Sequence, residues 1–147
     1  MRADDAALIR ASWPRVADSA DEAAALFYRR LFELDATAAA LFARADLVEQ
    51  GRKLMQMLAV AVDAVSDLEQ LAPAVESLGR RHVVYGVQDA QYETVEAALL
   101  WMLARILGEA MTPATRAAWR TIYGELAAIM RRGALGVTAT THAAVRR

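Results

Sequence analysis

Apolar residues recur along this chain at steps of three and four, and no stretch alternates strictly in the manner of a strand. That period lines side chains up on one face of a helix and predicts an all-α protein. Asp4 and Asp5 open a first helix with Ile9, Trp13 and Val16 inward, and Pro14 predicts a kink or an early loosening there. Ser19-Ala20-Asp21-Glu22 spells a capping box for a second helix to about Glu33. Asp35 caps a short third helix ending near Phe42, and a polar link over 43–46 leads into a long helix from about Leu47 to Val65. Ser66 and Asp67 break the pattern. A helix bearing His82 follows, with Pro73 near its start and Gly86 at its end. Asp89 is expected to cap a helix carrying Tyr92, Val95, Leu99, Met102 and Ile106 at helical spacing. Thr112-Pro113 starts the last helix as an N-cap followed by proline at the first helical position. Gly133 is its expected stop, which divides the chain into a folded unit over 1–133 and a frayed tail over 134–147.

At 147 residues this is the length of one domain with a substantial core. The formal net charge of −1 gives no electrostatic footprint for nucleic acid or for an anionic membrane. The chain has no cysteine, so disulfides, thiolate ligation and thiol catalysis are excluded. Its first residues do not spell a signal peptide, and its longest apolar runs fall short of a membrane span. The expected setting is the cytoplasm.

Two histidines exist, and only His82 lies on a helical apolar face, in the series Leu68, Leu71, Val75, Leu78, His82, Tyr85. An imidazole in that position has two readings. It is a core histidine satisfied by a nearby carbonyl, or the one protein ligand of a haem iron. Tyr28, Gln50 and Lys53 also share apolar helix faces. Alone, each reads as a rim tyrosine, a solvated glutamine and a surface lysine.

Taken in order, several segments shift the balance toward a haem protein. They are Leu8-Ile9-Arg10 with Ser12-Trp13, Leu26-Phe27-Tyr28-Arg29-Arg30-Leu31-Phe32, Leu41-Phe42 and Arg52-Lys53. Further on come Leu78-Gly79-Arg80-Arg81-His82, Tyr85-Gly86-Val87, Thr112-Pro113-Ala114-Thr115-Arg116-Ala117-Ala118-Trp119 and Tyr123-Gly124. Over roughly residues 4–133 this series resembles the globin family. The His82 segment and the segment after Thr112 are similar to neuroglobin. The Tyr28 and Gln50 pair, with Tyr92 ten residues after His82, is similar to bacterial single-domain haemoglobins and to the haem domain of flavohaemoglobins.

The resemblance implies a three-over-three helical sandwich around one b-type haem (iron protoporphyrin IX). His82 would be the proximal iron ligand, Phe42 would stack on the porphyrin, and Lys53 would reach a propionate. Leu54 would cover the distal side, while Leu78, Val87 and Val95 would pack the proximal side. Tyr28 and Gln50 would donate hydrogen bonds to a bound diatomic ligand, and Tyr92 and Tyr123 would stand behind His82. In flavohaemoglobins the first of these tyrosines and a glutamate hydrogen-bond around the proximal histidine. Here the glutamate's place falls on Ala134. The expected function is reversible binding of O2, CO and NO, by a monomer or weak homodimer. The alternatives are nitric oxide dioxygenase activity, served by an external reductase, and a haem-based gas or redox sensor.

Overall fold

A computed structural model describes the backbone of residues 2–145 and the side chains of residues 2–135. Seven helices, joined by short links, account for the described chain: α1 (Ala3–Asp18), α2 (Ala20–Leu34), α3 (Ala36–Leu41), α4 (Leu47–Asp63), α5 (Ala72–Val84), α6 (Gln91–Leu107) and α7 (Pro113–Val145). No helix among the described residues is long and apolar enough to cross a membrane. The helices form a three-over-three sandwich, with α1, α4 and α5 in one layer and α2, α6 and α7 in the other. Contacts of α2 with α4, α1 with α7, and α5 with α7 join the layers.

Each helix buries the face that its period marks. Ile9 and Val16 of α1, Phe27 and Leu31 of α2, and Leu99, Met102 and Leu103 of α6 are buried in one core. On α7 the inward series is Ala118, Trp119, Ile122, Leu126 and Ile129. Trp119 is 1% exposed, and its indole N–H donates to the Ser12 hydroxyl at 2.9 Å. Ser12 Oγ in turn lies 2.9 Å from the Leu8 carbonyl, so a buried donor on α7 is satisfied by α1.

Several starts and stops differ from the sequence pattern. The Ser19–Glu22 capping box does not form. The joint between α1 and α2 is a single residue whose own N–H donates to the Val16 carbonyl, so Glu22 has no orphan donor to serve. α1 runs past Pro14 to Asp18. Asp89 does not cap α6; its carboxylate is taken by Arg131 at 2.8 Å, and Gln91 accepts from the Gln88 N–H instead. Tyr85 is not on the buried face of the His82 helix. α5 ends one residue earlier, and the ring is 67% exposed.

The largest difference lies in the last helix. α7 does not stop at Gly133 but continues to Val145. Gly133 is not a C-cap because its missing side chain serves a helix crossing: a Cβ there would lie 2.1 Å from the Glu76 carbonyl oxygen of α5. Residues 136–145 are thus helical backbone, and the side chain of His142 lies outside the described residues.

Ser12→Ala is expected to strand the Trp119 indole N–H in the core and to destabilise the protein by about 1–3 kcal/mol. Urea unfolding checks this. The double variant with Trp119→Phe, which removes the donor, should recover part of the loss.

Candidate functional site

The His82 helix is positioned by its ends. Leu68–Leu71 forms a 3₁₀ turn that leads into α5, and Pro73 occupies the first turn of α5, where a missing N–H costs nothing. At the other end Gly86 has φ +92°, a conformation suited to glycine. Its N–H donates to the Val83 carbonyl, and the Val87 N–H donates to the His82 carbonyl at 2.9 Å. These two bonds make a Schellman motif, and His82 is the residue whose carbonyl it captures.

The His82 imidazole is half-buried, and its Nδ1 lies 2.8 Å from the Leu78 carbonyl one turn back. Nδ1 is therefore the protonated nitrogen of the neutral ring, and Nε2 keeps its lone pair with no partner among the described residues. Burial pushes the imidazole pKa below its ordinary value; the Leu78 bond opposes that shift and Arg81 adds to it. The ring is thus held neutral and oriented, which is the state a metal ligand needs.

Tyr28 lies on the buried face of α2. Its ring packs against Phe27 at 5.1 Å, Phe42 at 5.4 Å and Phe32 at 6.0 Å between centroids. Phe42, at the C-cap of α3, completes the group 5.8 Å from Phe32. The Tyr28 hydroxyl has no hydrogen bond within the described protein, and burial pushes its pKa up to about 12. No fully buried polar side-chain atom among the described residues lacks a partner, so this hydroxyl must reach accessible space. It is a neutral donor with nothing yet to donate to.

Gln50 and Lys53 stand in the first turns of α4, which Asp46 caps by accepting from the Val48 and Glu49 N–H groups. Gly51 brings α4 against α2: a Cβ there would lie 2.8 Å from Ala24 Cβ and 4.0 Å from the Tyr28 ring. Gln50 is therefore next in chain to a residue that abuts Tyr28, although the Gln50 and Lys53 side chains make no hydrogen bond or ion pair. Leu54 and Val95 are half-buried against the core, and Leu78 and Val87 are half-buried beside His82.

Tyr92 and Tyr123 are joined to each other rather than to the imidazole. The Tyr123 hydroxyl donates to the Tyr92 carbonyl, and the Arg131 guanidinium lies 4.8 Å over the Tyr92 ring. Nδ1 of His82 bonds instead to the Leu78 carbonyl of its own helix. Burial raises the pKa of both tyrosines.

One residue that the sequence pattern did not single out ties the region together. Gln91 is 7% exposed; its amide donates to Asp35 at 3.1 Å and to Thr37 at 3.2 Å, and its oxygen accepts from the Gln88 N–H. It thereby fastens the start of α6 to the start of α3, the helix that carries Phe42. The only signal was a Gln three residues after Gln88, at capping-box spacing but without the Ser or Thr that usually announces one.

The Globin family model matches residues 25–130 of the chain. Neuroglobins of Tetraodon nigroviridis and Danio rerio are each 32% identical over 142 residues, covering 88% of this chain and 89% of the relative. The chain is a globin. A solved structure described as a hexacoordinated heme protein from an anhydrobiotic tardigrade has the same fold, with a TM-score of 0.81. It is 19% identical, and the match covers 91% of this globin and 95% of that chain.

Two pH predictions follow from this geometry. Hydrogen bonds from the Thr37 and Gln91 side chains hold the Asp35 carboxyl below its ordinary pKa of 3.8. Its contribution to stability is complete above pH 3.8 and is lost as pH falls through the depressed value. Asp35→Asn keeps the capping oxygen but cannot titrate, so the apoprotein's acid-unfolding curve should be shallower below pH 3.8 in that variant. Tyr28, with a pKa near 12, stays protonated through ordinary alkaline buffers. Any ligand release rate that depends on its hydroxyl should be flat up to about pH 10 in stopped-flow measurements.

Proposed function

We propose that this globin holds a b-type haem between α4 and α5, with His82 Nε2 on the iron, and reversibly binds O2 and other diatomic gases on the opposite face. The observation that carries the reading is the state of His82. It is neutral, fixed through Nδ1 by the Leu78 carbonyl, and left with a free Nε2. The residues present fit the group. α4 and α5 do not pack extensively on each other, and apolar side chains including Phe42, Leu54 and Val95 stand half-buried nearby. The chain has no cysteine for a thioether link, which favours a haem held without covalent bonds. Bound there, the haem would supply an iron with one open position for gases.

The chain's own residues would do the rest. Tyr28 would present its unengaged hydroxyl, and Gln50 its amide, to the polar end of a bound ligand. Hydrogen bonds of that charge-assisted kind contribute about 1.5–3 kcal/mol each, enough to slow release tenfold or more. Phe27, Phe32 and Phe42 hold the tyrosine ring, so its hydroxyl loses little freedom on bonding. The exposed Lys53 has no ion-pair partner among the described residues and would be free to meet a haem propionate.

The bacterial-type reading rests on the distal pair Tyr28 and Gln50 and on the proximal Tyr92 alone, because the relatives named above are vertebrate neuroglobins and a tardigrade protein. α4 carries no histidine. Closure of the iron by a second imidazole from that helix is therefore excluded, and the unliganded ferrous form should be five-coordinate or weakly closed by Tyr28 or Lys53. Two distal donors also suit nitric oxide dioxygenase activity, for which an external reductase would return the iron to the ferrous state.

His82→Ala should abolish stable haem retention, read as loss of the Soret band on purification, whereas His142→Ala should leave the spectrum unchanged. Equal loss in both would remove His82 from the iron. Tyr28→Phe and Gln50→Leu should each speed O2 release about tenfold or more and CO release much less, with the larger effect at Tyr28. Unchanged O2 release in Tyr28→Phe would end the distal assignment.

A further inference from the structure

α5 and α7 meet backbone to backbone beside His82. A Cβ on Gly79 would lie 2.0 Å from the Met130 carbonyl oxygen, and one on Gly133 would lie 2.1 Å from the Glu76 carbonyl oxygen. Each glycine faces the main chain of the other helix, so no flexible side chain could give way. Gly79 is one turn before His82 on the same helix.

The same turn of α7 reaches residues that precede and follow His82 in the chain. Arg132 pairs with Glu69 at 3.1 Å and with Glu76 at 3.2 Å, both before His82. Arg131 pairs with Asp89 at 2.8 Å, after His82, and covers the Tyr92 ring. Exposed ion pairs contribute little individually, so they steer the contact while the glycines fix its depth. Gly133 stands inside a continuous helix, where glycine is unfavourable, and the close approach is what it makes feasible.

We infer that Gly133, with Gly79, is a positioning residue for His82: the crossing sets where α5 holds the imidazole relative to the haem, and thereby the strength of the iron–histidine bond. This rests on His82 as the iron ligand. Ordinary contact begins near 3.4 Å, so Gly133→Ala must part the two backbones by roughly 1 Å, a displacement large on the scale of site geometry.

The test is the iron–histidine stretching band, recorded by resonance Raman immediately after CO photolysis of the haem-loaded ferrous protein. Gly133→Ala should displace the band from its wild-type frequency. Gly124→Ala, on the same helix with nothing within 4 Å of its added Cβ, should leave the band in place and raise the Tm. In a His82→Gly background supplied with free imidazole, Gly133→Ala should have no effect on the band, because the ligand is no longer tethered to α5. A band unmoved by Gly133→Ala, or moved equally with free imidazole, overturns the inference. Should Gly133→Ala not fold, Gly79→Ala loads the same crossing from the α5 side against the Met130 carbonyl, and an unmoved band there overturns it equally. If His82→Gly keeps the wild-type band without imidazole, it is the ligand assignment that fails.

Discussion

The contact between the backbones of α5 and α7 is the constraint on which the proximal half of this globin depends. Two helices approach this closely only where both lack a side chain at the crossing, and Gly79 and Gly133 supply that on opposite sides. A glycine inside a helix costs about 1 kcal/mol relative to alanine, and here two such costs are offset by contact along the crossing. The rest of α7 makes the cost tolerable, because Trp119, Ile122, Leu126 and Ile129 bury its inner face in the core. The helix is thus anchored before it reaches α5, and it can act as a fixed surface against which α5 is set.

Fixing the helix does not by itself fix the ring. That is done by two short-range bonds with different origins. The Leu78 carbonyl can accept from Nδ1 as well as serving the helix ladder, because a carbonyl oxygen has two lone pairs. The Schellman motif at Gly86 then captures the His82 carbonyl itself through Val87. A histidine in mid-helix could have made only the first of these bonds. The placement three residues before the helix cap is what lets one residue be held through both its side chain and its main chain.

Much of this was legible in the sequence, and the failures share a cause. Helix existence followed from periodicity, since burial of one face is a local property of the pattern, and the caps at Asp35 and Thr112 followed because a capping oxygen acts within three residues. Apolar spacing put Tyr28 beside Phe32 on one helix face, whereas Phe42 came into view only through the family resemblance. What misled was any residue whose local meaning was overridden by a distant partner. Gly133 reads as a helix stop until Glu76 is placed beside it, and Asp89 reads as an N-cap until Arg131 arrives from α7. Gln91 reads as an ordinary surface position until Asp35 and Thr37 meet it across 56 and 54 residues. Sequence patterns carry near-neighbour physics well and say little of contacts closed by the fold.

The two walls of the candidate haem site are set by the same device at independent places. On the distal side Gly51 lets α4 lie against Ala24 of α2, within reach of the Tyr28 ring. On the proximal side Gly79 and Gly133 let α5 lie against α7. The spacing between α4 and α5 is therefore not determined by the side chains that face the space between them. It is determined behind each wall, by how closely each helix sits on the layer beneath it. Residues lining the space can then vary to tune ligand chemistry while its width stays put. Conversely, a change at a glycine that touches no ligand alters the geometry felt by all of them. In the proposed site Tyr28 and His82 would be specified by chemistry, and the distance across which they would act by positions with no side chain at all.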